Sequence, residues 1–236
     1  EKLKQESEHI TEKGEEGWLY FACKRVQHGT NYLLGTTTMS GQILKDSYKK
    51  MGRPIDVAPK ECQLLQQLYL SRYYGVNYWQ NKVKHEIMKN GCLECASGHI
   101  RRFFGRTTDH ETYRKATAQN PQANTTYATN MAILRLWEDR ENKWGHWTRV
   151  SPNDEMEQSL CEEAHTHPAN ELVVEPLHQI HDAALGQFLI QHALWACKKI
   201  KQWFDNKITV AGTTFVIPYD GKYGMSWKDS DMKFKI

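Results

Sequence analysis

The apolar and polar positions of the chain fall into stretches with helical spacing, followed by shorter stretches with strand character. From Trp18 to Tyr32 the pattern is helical. Residues 33–60 place Gly35, Gly41, Gly52, Pro54 and Pro59 around a run near 40–50 that Thr36–Thr38 precede, which predicts short helices and turns. Residues 60–90 predict two helices separated by Tyr73-Tyr74-Gly75-Val76. Glu61–Leu70 is apolar on one face, and Val76–Lys89 carries its charges on the other. A long helical pattern covers 111–140, with Met131, Leu134, Leu136 and Trp137 apolar and charges at 138–141. Residues 141–170, rich in Trp, His and acids, read as a connecting loop and a short helix of no clear role, with His165 and His167 in solvent. Val-, Leu- and Ile-rich residues then flank His181-Asp182 from Leu172 to Phe188, predicting a β-hairpin with that pair at its tip. An amphipathic helix follows over Leu189–Phe204, carrying Lys198, Lys199 and Lys201. After it comes a strand pair over Ile208–Pro218 that turns at Ala211-Gly212. Residues 1–17 are polar and predict a solvated helix or loop tip.

Composition narrows the class. The 236 residues suffice for one large domain or two small ones; 39% are hydrophobic and 25% charged, which fits a globular chain. No apolar run approaches the roughly 18 residues of a membrane span, so no membrane partner is expected. With no visible secretion signal, a cytoplasmic location is expected. The start at Glu1 suggests a truncated or processed chain. A net charge of +3 permits nucleic-acid binding without demanding it. Six scattered cysteines with no visible secretion signal read as free thiols.

Three groups of residues could carry chemistry. Tyr20, Lys24, His28 and Tyr32 recur every four residues, so one helix face presents a cation, an imidazole and a phenol in a row. A lysine can meet phosphate as a point charge, and a ring can stack on a sugar or base. Gly29 among them leaves room for close approach of a ligand. An amphipathic helix with aromatics facing a core is the competing reading. At the hairpin, Asp182 offers oxygen ligands to a hard cation such as Mg²⁺, while an ordinary surface turn would look the same. Cys92 and Cys95 form a C-x-x-C that would need a second ligand pair to hold zinc; His165 and His167 are the candidates.

Lys24-Arg25-Val26-Gln27-His28-Gly29-Thr30-Asn31-Tyr32 resembles the nucleotide-binding fingers helix of family A (polymerase I-like) DNA polymerases, in the form found in tailed phages. Leu177–Ala183 resembles that family's third palm motif, apolar-Gln-apolar-His-Asp-Glu, and the order along the chain agrees. Tyr74-Gly75-Val76 and the helix after it are similar to the family's approach to a basic hairpin, here Gly91–Arg102 with Arg101 and Arg102 retained. Gln119–Thr125 resembles its Asn-x-Pro-x-Gln-Gly-Thr segment, and Gly221–Trp227 its closing strand. Three positions depart from the pattern. Tyr20 stands where an Arg is usual, His28 where Phe or Tyr is usual, and Ala183 where a Glu follows the His-Asp pair.

The resemblance implies an α+β fold. Helical fingers would occupy 1–112, and a C-terminal palm, an antiparallel sheet backed by helices and carrying the His-Asp hairpin, would occupy 113–236. It implies template-directed DNA synthesis with two Mg²⁺ ions. Asp182 would hold metal. His181 and Gln179 would sit by the primer strand. Lys24 would meet the incoming deoxynucleoside triphosphate, His28 would stack on it, and Tyr32 would border the templating site. Arg101 and Arg102 would contact phosphate, and Asn120, Gln122 and Asn124 would read minor-groove acceptors from a polar stretch that could equally be a helix N-terminus. The location implied is the host cytoplasm if the chain is phage-encoded. The partners implied are primer–template DNA, deoxynucleoside triphosphates and the N-terminal polymerase portion, in the same or a second chain. That portion would supply the first catalytic aspartate, since residues 1–17 contain none. Three other readings stand beside this one: a single-subunit RNA polymerase relative, a non-catalytic DNA-binding module, and a zinc-binding structural protein using Cys92, Cys95, His165 and His167.

Overall fold

The computed structural model describes residues 17–226 and 232–233; residues 1–16 and Trp227, and the readings made on them, lie outside the described residues. The fold is α+β, predominantly helical with small antiparallel strand pairs. It divides into two compact units, Glu1–Glu94 with Ile100–Asn120, and Cys95–His99 with Pro121–Ile236.

The first unit begins with α1 (Trp18–Asn31), α2 (Thr36–Met51), α3 (Pro59–Arg72) and α4 (Tyr74–Asn90). Helix α1 buries Phe21, Ala22, Val26, Gly29 and Thr30, a single stripe at helical spacing. That stripe meets Met39 and Ile43 of α2, Ile55 and Val57 of the following loop, and Cys62 of α3. Helix α2 is longer than the pattern near 40–50 suggests, because Thr36–Thr38 form its first turn. Pro59 opens α3, and the Glu61 carboxylate accepts the Ala58 N–H at 2.8 Å, satisfying a donor that a helix start leaves open. Only Tyr73 separates α3 from α4; Tyr74, Gly75 and Val76 lie inside α4 rather than in a break. Helix α4 ends at Gly91, whose φ of 64° suits a residue without a Cβ. Strands β1 (Cys92–Glu94) and β2 (Ile100–Arg102) pair antiparallel with Cys92 opposite Arg102. Leu93 of β1 packs with Val83 and Ile87 of α4 and with Ala116 of the next helix.

That helix, α5 (His110–Glu138), carries the division between Asn120 and Pro121. Its second-unit part buries Ala128, Ala132 and Leu136, four residues apart, while Leu134 and Trp137 are exposed. Short helices α6 (Trp144–Trp147) and α7 (Glu155–Glu163) follow, then β3 (Val174–Ile180), β4 (Ala183–Phe188), α8 (Ala193–Trp203), β5 (Lys207–Val210), β6 (Thr213–Val216), β7 (Lys222–Tyr223) and β8 (Met232–Lys233). The stretch 141–170, read from sequence as a connection of no clear role, supplies the centre of this unit's core. Trp144 and Trp147 are buried with Trp195 and Trp203, Leu160 and the Leu172–Val174 segment. Large aromatic rings bury the most apolar area per residue, so these four carry a large share of the packing.

Asn142, fully buried, joins the end of α5 to the start of β3. Its Nδ2 donates to the Leu136 carbonyl at 3.0 Å and to the Val174 carbonyl at 3.1 Å, and its Oδ1 accepts the Val174 N–H at 2.8 Å. The expected palm sheet takes a different form here. Among the described residues the strands pair as separate two-stranded ladders, β1–β2, β3–β4, β5–β6 and β7–β8, and no ladder joins another. In β1–β2, β3–β4 and β5–β6 consecutive strands pair directly with each other.

Candidate functional site

In the second unit the site is the β3–β4 hairpin. Ile180 pairs with Ala183, which leaves His181 and Asp182 as a two-residue tip. His181 has φ of 54°, a left-handed conformation that is uncommon for a residue with a Cβ and that such tight turns demand. Gly186 in β4 faces Pro176, and a Cβ there would lie 2.8 Å from the Glu175 carbonyl oxygen, so the strands approach as closely as only glycine allows. The tip is fastened to α5. The Thr129 hydroxyl, on a buried side chain, donates to the Asp182 carbonyl at 2.9 Å. Gln179 donates its amide to Asn130 Oδ1 at 2.7 Å and to the His181 carbonyl at 3.3 Å. Its nitrogen is therefore engaged within the protein. His181 and Asp182 are exposed, as is Ala183 beside them.

Asp182 also lines a cavity of about 980 Å³ walled by α5, β4 and the segment from Ile217 to Ser226. Asp220, which the sequence reading passes over, lines the same cavity. Its signal in the sequence is slight: an acidic residue in a turn after Pro218. Among the described residues no group of three His, Cys, Asp or Glu side chains is placed to hold a metal ion, so Asp182 offers carboxylate oxygens that further ligands would have to complete.

Behind the hairpin, Lys199 Nζ lies 2.9 Å from Asp139 Oδ2 and 2.6 Å from Glu141 Oε2, and Trp203 Nε1 donates to Asp139 Oδ2 at 2.9 Å. Burial alone would raise the Asp139 carboxyl, but the hydrogen bonds from Lys199 and Trp203 and the lysine charge outweigh it and hold the group below its ordinary value. Burial alone would lower Lys199; its two carboxylate partners hold it above the usual lysine value instead. His167, read from sequence as solvent-facing, stacks on buried Trp144 with ring centroids 4.5 Å apart and planes 7° apart. It stands between Glu163, at 3.4 Å, and Glu171, at 3.7 Å, while His165 is exposed. Against the edge of the same indole lies His192, 1% exposed, whose pKa burial pushes down.

In the first unit, Tyr20, Lys24 and His28 form an exposed row on α1, and Tyr32 caps its end. Lys24 Nζ lies 5.7 Å from the Tyr20 ring centre, and the His28 and Tyr32 rings meet edge to face at 4.7 Å. Arg25, next to Lys24, lies 3.2 Å from Asp46 in a half-exposed pair and over the Phe21 ring. Gly29 faces inward, not toward a ligand: a Cβ there would lie 2.8 Å from Met39 Cε, so its smallness serves the packing of α1 on α2. Arg101 donates to Gln119 Oε1 at 2.6 Å and lies over the Phe103 ring, while Arg102 is exposed on the paired strand. Asn120, Gln122 and Asn124 sit in the interior of α5, not at a helix N-terminus. Residues two apart on a helix point about 200° apart, so Asn120 and Gln122 face different ways, while Asn120 and Asn124 share a face.

A scan against protein-family models and a search of curated proteins return no match for this chain.

Proposed function

We propose that the chain is the fingers and C-terminal palm portion of a right-handed, family A-like DNA polymerase, which adds nucleotides to a primer 3′-hydroxyl on a template strand. The observation that carries this reading is the exposed Asp182 at a two-residue hairpin tip, its main chain fastened by Thr129. A metal-binding carboxylate must be held to within a fraction of an ångström, and a hairpin fixed to a long helix supplies that rigidity. The α1 row supports the same reading from the substrate side.

In the reaction, the primer 3′-oxygen attacks the α-phosphorus of the incoming nucleotide and pyrophosphate leaves. Bound Mg²⁺ would neutralise charge on the attacking and leaving oxygens. Asp182 would contribute carboxylate oxygens to that site, in company with an aspartate from the N-terminal polymerase portion. His181 and the Gln179 amide oxygen would meet the primer strand. Lys24 would pair with the triphosphate, His28 would stack on its sugar or base, and Tyr32 would border the templating base. Arg101 and Arg102 would take backbone phosphates. The protein's contribution is then mainly positioning and charge complementarity.

The test is primer extension with the purified chain, Mg²⁺ and deoxynucleotides, with and without the N-terminal portion. The completed protein should extend the primer, residues 1–236 alone should not, and Asp182→Ala should abolish extension while DNA binding persists. Near-normal turnover by the Asp182→Ala protein would sink the assignment. No extension even in the completed protein would favour a non-catalytic DNA-binding role.

A further inference from the structure

Three exposed tyrosines of the first unit gather where α3 meets α4. Tyr73, Tyr74 and Tyr78 are 55%, 81% and 74% exposed. Tyr74 and Tyr78 lie one turn apart on α4, and Lys82 continues the row a turn later. The row stands on a rigid base. Tyr69 packs its ring against Tyr73, with centroids 5.0 Å apart, and its hydroxyl donates to Asn31 Oδ1 at 3.0 Å. Buried Gln80 donates to the carbonyls of Thr30, at 2.9 Å, and Asn31, at 3.2 Å, holding α4 to the end of α1 where Tyr32 stands.

The surroundings are cationic. Arg72, Lys82, Lys84, His85 and Lys89 lie on or beside α4, with Glu86 the one acid of that helix. Lys82 and Glu86 approach only to 3.8 Å and both are open to water, so the pair leaves the lysine largely available. Over the first unit, residues 1–94 and 100–120, the chain holds nineteen Lys and Arg against thirteen Asp and Glu, while its net charge overall is +3. The unit that carries the exposed rings is thus the basic one. An apolar protein partner would match the rings but not the cations, and a duplex would match the cations but keeps its base faces stacked. A single strand offers both free base faces and phosphates.

We propose that Tyr73, Tyr74 and Tyr78, with Arg72 and Lys82, form a track for single-stranded nucleic acid. The assignment of that strand as the unpaired template running on from Tyr32 rests on the DNA-synthesis reading; the binding itself does not.

The experiment is fluorescence anisotropy on the full chain with a labelled thymidylate strand of about 20 nucleotides and with a blunt duplex. Replacing both rings, Tyr74→Ala with Tyr78→Ala, should weaken the single strand about thirtyfold or more and leave the duplex unchanged. Tyr74→Phe with Tyr78→Phe should bind like the original, because a phenyl face stacks as well. Both sites are exposed on a helix, so circular dichroism should show the fold intact. Unchanged single-strand affinity in the alanine pair would overturn the proposal. An equal loss for strand and duplex would overturn it as well, leaving a general electrostatic surface or a protein-covered face. In the completed protein, primer–templates with and without a 5′ overhang separate the two readings. An unaltered completed protein that binds single strands but extends no primer counts against the polymerase and not the track. An alanine pair that loses single-strand binding yet extends overhang templates normally counts against that strand being the template.

Discussion

The hydroxyl of Thr129 on α5 holds the main chain of Asp182, 2.9 Å away, at the tip of the β3–β4 hairpin. Removing it with Thr129→Val keeps the side-chain shape and leaves the Asp182 carbonyl to water, at a stability cost of about 1 kcal/mol. Under the proposed DNA-synthesis role, nucleotide addition by the completed protein should fall about tenfold, because the carboxylate loses its fixed position. Thr129→Ser should restore most of that loss. Primer-extension rates over a Mg²⁺ titration check it, and full activity in the valine protein would show that the hairpin needs no such tether.

Asn142 satisfies three main-chain groups in the interior. Asn142→Leu should cost about 3 kcal/mol, since each buried peptide group left without a partner is penalised. Urea unfolding would measure it through the lowered midpoint. A change under 1 kcal/mol would mean water replaces the amide.

The Asp139–Lys199 pair ties stability to pH at both extremes. The Asp139 carboxyl is depressed, so its contribution is complete above its ordinary value of 3.8 and is lost as pH falls through the lower folded value. Lys199 is raised, so its contribution is complete below 10.5 and is lost as pH rises through the higher folded value. Lys199→Met should cost about 2 kcal/mol at neutral pH by stranding a partly buried carboxylate. It should also flatten the acid limb of a melting-temperature profile.

His192 acts in the middle of the pH range. Burial depresses its folded pKa below 6.5, so the unfolded chain binds a proton that the folded chain resists, and stability declines as pH falls through that value. His192→Leu should weaken that decline as pH falls below about 6.5. Thermal melts across the range, compared with the unchanged protein, check the slope.

What the sequence determined by itself was local. The helical period placed Tyr20, Lys24 and His28 on one exposed face of α1, and the apolar flanks and turn placed His181-Asp182 at a hairpin tip. The Ala211-Gly212 turn joins β5 to β6 by the same short-range logic. A period or a tight turn is written within a few residues, so each is legible without knowing what lies opposite. Tertiary structure decided the rest. Asn142 looks like one more polar residue in an Asp-Arg-Glu-Asn run until Val174, 32 positions away, becomes its partner. Trp144 and Trp147 read as a connection until Trp195 and Trp203 close on them. Gly29 looks like room for a ligand until Met39 fills the space, and Gln179 looks free until Asn130 takes its amide. Each of these depends on a pairing across sequence distance, and local hydrophobic patterning carries no information about which distant group will arrive.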